Sequence, residues 1–223
     1  MCFWKRKPAR TLETKISGLT FRNPVGLLVS TPGALPPKAV KAGFITLTPP
    51  LEEVLPWITS LQENRPPEGS VLLVNISTDI PRTFALAYDF ADLLVIDPDP
   101  SGGISSPDVS DITALLDQLL SLRLCYEKFT PIYLRMPKGI TQDELESLLS
   151  YCQLSGIDGV IAPSLRILRQ VRQQSLQRIP VAGATEDIQT AREMLQEGAV
   201  FAELANARPI PILKLIKSLD KND

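Results

Sequence analysis

Eight short apolar runs recur along the chain, with amphipathic segments between them. They are VGLLV (25–29), FITLT (44–48), VLLVNIS (71–77), DLLVID (92–97), IYLRM (132–136), GVIAP (159–163), PVAGA (180–184) and VFAEL (200–204). Continuous rather than alternating apolarity is the pattern of strands covered on both faces, as in a parallel sheet flanked by helices. The intervening segments read as helices over 51–64, 110–127, 141–154, 186–197 and 210–219, with shorter ones at 36–42, 81–89 and 165–176. Ser110 reads as an N-cap, and Thr141 with Glu144 as a capping box. Gly156 and Gly198 stand where helices stop. Strand then helix, eight times over, predicts an α/β chain folded as a (β/α)8 TIM barrel. An open doubly wound sheet is the competing arrangement; eight clean units favour closure. At 223 residues the loops must be short for such a barrel. ETKISGLTF (13–21), with Gly18 between two apolar pieces, reads as an N-terminal floor hairpin. No linker interrupts the pattern, so the chain reads as a single domain over 1–223, with 1–11 as a flexible tail.

Composition removes several classes of function. Lys plus Arg is 23 and Asp plus Glu is 25, a net charge of -2, which offers no field for nucleic acid. There is no histidine, so no His base and no His-ligated metal. Cys2, Cys125 and Cys152 are odd in number and form no CxxC, which fits a reducing, cytoplasmic setting. Cys125 and Cys152 read as small packing residues on helices. No run of about 18 apolar residues exists to cross a membrane. The opening MCFWKRKPAR lacks an apolar h-region. It reads as a solvated tail, or as a weak membrane-surface contact through Phe3, Trp4 and the Lys5, Arg6, Lys7 run.

A barrel works at the C-terminal ends of its strands. Those ends carry Ser30, Thr31, Thr48, Asn75, Ser77, Asp97, Asp99, Arg135, Ser164, Thr185, Glu203 and Asn206. The irregular stretch 97–109 reads as a lid or substrate loop. Arg135 has two readings: it grips the carboxylate or phosphate of a small anionic ligand, or it closes an ion pair with Asp97 or Glu203. Asp97, Asp99 and Glu203 are oxygen ligands of the kind a divalent cation takes, but DPDP is also plain turn chemistry. Turn chemistry is the preferred reading, and no metal is expected. Arg166, Arg169, Arg172 and Arg178 make a basic side that reads as a solvated face, with partner binding as the other reading.

The segment ISGLTFRNPVGL (16–27) resembles the opening of the dihydroorotate dehydrogenases, FMN-dependent barrels that oxidise dihydroorotate to orotate in pyrimidine synthesis. Further pieces follow in order: AGF (42–44) with TLTP (46–49), VNI (74–76), ADLLVID (91–97), PIYLRMP (131–137) with TQDEL, GIDGVIA (156–162), IPVAGA (179–184) and EGAVFAEL (197–204). The likeness covers about residues 12–219 and is nearer to the membrane-bound branch, whose N-terminal membrane-docking helical pair has no counterpart here. It implies the barrel fold, and FMN as cofactor if the activity survives. Thr46, Thr48, Asn75 and Gly183 then match cofactor-binding positions.

Elsewhere the family pattern is replaced. Leu28 and Val29 stand where small residues let the flavin approach, and Gly33 stands near the place of a substrate lysine. Asp97-Pro98-Asp99-Pro100 replaces an Asn and a Ser or Cys base. Arg135 replaces a lysine against the flavin ring, and Pro163 and Ser164 replace a substrate-binding Asn. GATED (183–187) replaces the glycine turn that cradles the flavin phosphate, putting Glu186 and Asp187 in the first turn of the next helix, where they repel an anion. These replacements predict a barrel that has lost flavin catalysis and binds a small ligand or a partner as a pseudoenzyme. The alternative is an active FMN-dependent oxidoreductase, with Asp99 or a Ser of 101–106 as base and Arg135 in place of the lysine.

Overall fold

A computed structural model describes residues 12–29, 42–49, 56, 71–100, 107–205 and 209–219. The tail 1–11, Ser30, Thr31, Asn206, residues 101–106 and nearly all of the helices read at 36–42 and 51–64 lie outside the described residues.

The described chain opens with β1 (Thr14–Ile16) and β2 (Leu19–Phe21), an antiparallel pair with Ile16 opposite Leu19. The two residues between them, Ser17 and Gly18, have φ of 49° and 81°. Positive φ at both central positions is what a tight primed turn needs, and it suits the right-handed twist of the strands. Eight parallel strands then close a barrel: β3 (Val25–Val29), β4 (Phe44–Leu47), β5 (Val71–Ile76), β6 (Leu93–Ile96), β7 (Ile132–Arg135), β8 (Gly159–Ala162), β9 (Val181–Thr185) and β10 (Ala202–Ala205). β10 pairs with β3, Ala202 opposite Val25, and completes the ring. The doubly wound alternative is thereby excluded. Among the described residues the helices are α1 (Ile80–Ala87), α2 (Val109–Arg123), α3 (Gln142–Ser155), α4 (Leu165–Ser175), α5 (Ile188–Gln196) and α6 (Pro209–Leu219). None is long and apolar enough to cross a membrane.

Side chains alternate across each strand. Ile45, Val74, Leu94, Leu134 and Val160 face outward into the core shared with Phe84, Leu116, Leu148, Leu168 and Met194 of the helices. Phe44, Leu73, Leu93, Tyr133, Ile161 and Phe201 form a second, separate core with Ile16 and Phe21 of the hairpin. The hairpin thus plugs one end of the barrel with Phe21, whose ring centroid is 5.6 Å from those of both Phe44 and Phe201. The Tyr133 hydroxyl lies 3.1 Å from Ser17 Oγ, tying the plug to β7, and burial pushes that phenol up to about 12. Gly26 and Gly159 supply the space for these rings: a Cβ at either position would collide with Phe44 or Tyr133.

The helix ends explain where the sequence reading holds and where it shifts. α3 carries the full capping box, Thr141 with Glu144, and stops at Gly156 with φ 90°. α2 differs. Ser110 lies inside the helix, and Asp108 is the N-cap, its carbonyl accepting from the N–H groups of Asp111 and Ile112. Asp187 is likewise the N-cap of α5, not a first-turn residue, and Glu186 precedes it. Cys152 is fully buried on α3, but Cys125 lies beyond the end of α2 and is exposed, so it is no packing residue. On the basic side Arg169 pairs with Glu197 at 2.7 Å with both side chains largely exposed, and Arg172 donates to the Gly198 carbonyl.

Candidate functional site

The inward positions at the C-terminal ends of the strands change character. On several strands an apolar inward residue is followed two positions later by a polar one, among them Leu73 by Asn75, Val95 by Asp97, Tyr133 by Arg135 and Phe201 by Glu203. Period-two geometry puts each pair on the same face, so the polar members meet in one layer above the aromatic plug. They border a cavity of about 390 Å³, which Leu28, Ala184 and Ala205 also wall and which Asp99, Lys138 and Glu186 reach.

Arg135 is the centre of that layer. Its Nη2 donates to Glu203 Oε1 at 2.7 Å and to Asn75 Oδ1 at 3.3 Å, and its Nε lies 3.3 Å from Asp97 Oδ2. The side chains of Arg135 and Asp97 are 13% exposed and that of Glu203 is 1% exposed. Both ion-pair partners named from the sequence are therefore engaged together. Asn75 also donates to Thr48 Oγ1 at 3.3 Å, which joins β4 to the cluster. Burial raises the Asp97 carboxyl above its ordinary value, and the facing guanidinium opposes this only in part. Burial alone would pull Arg135 down, but Glu203 and Asp97 hold it above its usual range. One guanidinium thus faces two carboxyl groups. At this cluster two buried oxygens, Glu203 Oε2 and Thr46 Oγ1, are among those without a hydrogen-bond partner among the described residues. No group of three or more side chains able to hold a metal ion comes together among the described residues.

The remaining sequence candidates fall around this centre. Asp99 is buried at its edge. Ser164 caps α4 by accepting from Ile167 N, and Thr185 Oγ1 accepts from Asp187 N. Ser77 is half-buried beyond β5 and does not line the cavity. Lys138 was missed by the sequence reading, although its place three residues beyond Arg135 marks it as a mouth residue. A larger hollow of about 820 Å³ lies outside the barrel against α2. Three of its four charged residues have partners: Arg123 on Asp158, Lys128 on the carbonyls of Asp89 and Ala91, and Asp117 under the Tyr151 hydroxyl.

In barrels of this architecture phosphates commonly sit at a helix N-terminus beyond the seventh and eighth strands. Here that helix end is α5. The Asp187 carboxylate occupies it, accepting from Thr190 N at 2.6 Å and Thr190 Oγ1 at 2.8 Å, and these bonds lower its pKa. Gly183 does not open the turn. Its N–H is bonded to the Phe201 carbonyl at 2.9 Å, and a Cβ there would meet Met194 of α5, so this glycine serves strand–helix packing. These residues do not fit a flavin phosphate at α5. The same geometry predicts that Asp187→Ala lowers the melting temperature at neutral pH. A depressed folded pKa contributes stability above the unfolded value, near 3.8, and loses it as pH falls through the folded one. The gap between variant and parent should therefore close on acidification; a pH-independent gap would rule out the carboxylate cap as its cause.

No family model matches the chain, and no curated protein sequence matches it. Solved structures do. The DHODH of Eimeria tenella in complex with ferulenol superposes with a TM-score of 0.74 at 15% identity, covering 98% of this chain and 85% of that one. The ligand-free DHODH of Eimeria tenella gives a TM-score of 0.70 at 15% identity, covering 97% of this chain and 87% of that one. The likeness over nearly the whole length establishes the fold: this chain has the closed barrel architecture of these dehydrogenases.

Proposed function

We propose that the chain, as one domain over 1–223, is a dihydroorotate dehydrogenase-like barrel that has lost flavin catalysis and holds a small ligand or a partner at its mouth, in the cytoplasm. The observation that carries this reading is the closed end of α5, where the Asp187 carboxylate takes the Thr190 N–H and puts a negative charge where a phosphate would sit. Arg135 supports it, because its guanidinium is committed to Asn75, Asp97 and Glu203 rather than directed at an anionic substrate. Purified protein should be colourless. An absorbance scan across the flavin bands, with heat-released FMN measured by fluorescence, tests this, as does dihydroorotate oxidation with added FMN. Near-stoichiometric FMN or measurable orotate formation overturns the reading.

One observation favours the alternative, an active FMN-dependent oxidoreductase converting dihydroorotate to orotate. Thr46 Oγ1 is fully buried without a partner among the described residues, at a position that matches a flavin contact of the family, with Thr48 and Asn75 beside it. Asp99 and Arg135 would then be the catalytic residues, and the same flavin assay decides between the two.

A further inference from the structure

The mouth of the barrel is acidic where a flavin and an oxidised pyrimidine would both bring anionic groups. Among the described residues lining the cavity are four carboxylates, Asp97, Asp99, Glu186 and Glu203, and two cations, Arg135 and Lys138. Acidic groups outnumber basic ones around this cavity, and such a lining disfavours anions and favours cations. An acidic lining alone would only be a local field. The second observation is Glu203: its side chain is 1% exposed, Oε1 is held by Arg135, and Oε2 is buried with no donor among the described residues. A buried carboxylate oxygen without a donor is costly, and it accepts the first well-placed N–H offered to it. A divalent cation is a poor candidate because it needs several oxygens at once, and no such group is assembled among the described residues. Leu28, Ala184 and Ala205 add apolar wall that suits a carbon chain.

We propose that the mouth binds a small organic cation, an alkylammonium or alkylguanidinium, which donates to Glu203 Oε2 while its chain lies against Leu28, Ala184 and Ala205. The inference rests on the reading of the mouth as a ligand site without flavin chemistry. At about 390 Å³ the cavity is in the range of small-molecule sites and suits a compact amine.

The test is titration of the full chain with butylammonium, 1,4-diaminobutane and butylguanidinium, followed by calorimetry and thermal shift. Butanol, butyrate, inorganic phosphate and magnesium chloride serve as comparisons. The cations should bind and raise the melting temperature, with affinity falling as salt rises, and butanol and butyrate should not bind. Glu203→Gln removes the charge with little change in size and should weaken cation binding about ten- to a hundredfold, the worth of a hydrogen bond to a charged group. Should Glu203→Gln fail to fold, Glu186→Gln on the exposed rim keeps the test open. It should weaken binding severalfold at low salt and leave it unchanged at high salt. Failure of every cation to bind overturns the proposal, as does unaltered binding to folded Glu203→Gln. Binding of butyrate or phosphate in their place overturns the cation but leaves the non-flavin reading standing, and magnesium binding alone replaces an organic ligand with a metal. Stoichiometric FMN binding overturns the underlying reading itself.

Discussion

Arg135→Ala is expected to destabilise the barrel by about 3–5 kcal/mol, the usual consequence of removing one partner from a buried ion pair. For a chain of this length that is a fall of about 6–20 °C in melting temperature. The loss comes from what is left behind. Glu203 and Asp97 would face each other across the cavity without the guanidinium that now contacts both. The variant should also respond to pH in a defined direction. Asp97 already has a raised folded pKa with burial as its largest cause, and removing Arg135 deletes the largest opposing influence. A carboxyl with a raised folded pKa takes up a proton more readily in the folded state, so folding gains stability as pH falls through that value. The deficit of Arg135→Ala should therefore be greatest at neutral pH and shrink on acidification. Asp97→Asn in the same background should remove much of that pH dependence. Thermal melts of the three proteins across pH check this. A neutral-pH melting point equal to the parent's would mean that the cluster contributes nothing to holding the barrel.

The second large effect lies one layer below. Phe44→Ala should cost about 3–5 kcal/mol, because it empties the centre of a fully buried aromatic group formed with Phe21 and Phe201. Gly26→Ala should cost about 1–3 kcal/mol for the opposite reason: its new methyl collides with the Phe44 ring. The two changes touch the same space, so they should not add. In the Phe44→Ala background the Gly26→Ala methyl enters the cavity left by the ring, and its cost should fall toward zero or change sign. Denaturant titrations of the four proteins in a double-mutant cycle measure the coupling. Simple additivity would show that β3 and β4 do not share this interior contact.

Much of the barrel could be read from short-range pattern. The eight apolar runs place eight strands, because a strand covered on both faces has no polar positions to interrupt it. Thr141, Glu144 and Gly156 mark the ends of α3 because caps act within one helical turn. Gly18 marks the hairpin because the turn needs positive φ. The same local logic misplaced the start of α2, where Ser110 looks like a cap. Asp108 takes that place with its carbonyl and no side-chain bond, so no capping motif announces it.

The site divides the same way. The residues of the mouth were legible one by one, since strand ends follow from strand positions and Arg135, Asp97 and Glu203 stand there in the sequence. Their order along the chain carries no information on which of them touch. Asn75 and Arg135 are sixty residues apart, and Arg135 and Glu203 sixty-eight, yet closure of the ring puts all three in contact. Only that closure decided that Arg135 faces two carboxylates instead of one. It also left Glu203 with an oxygen that has no partner among the described residues, and it turned Gly183 toward Met194 rather than toward the mouth. Strand spacing alone sets which face a side chain takes. Its neighbours on that face depend on the register between strands distant in sequence, and the closed barrel sets that register through packing around Phe21, Phe44, Tyr133 and Phe201.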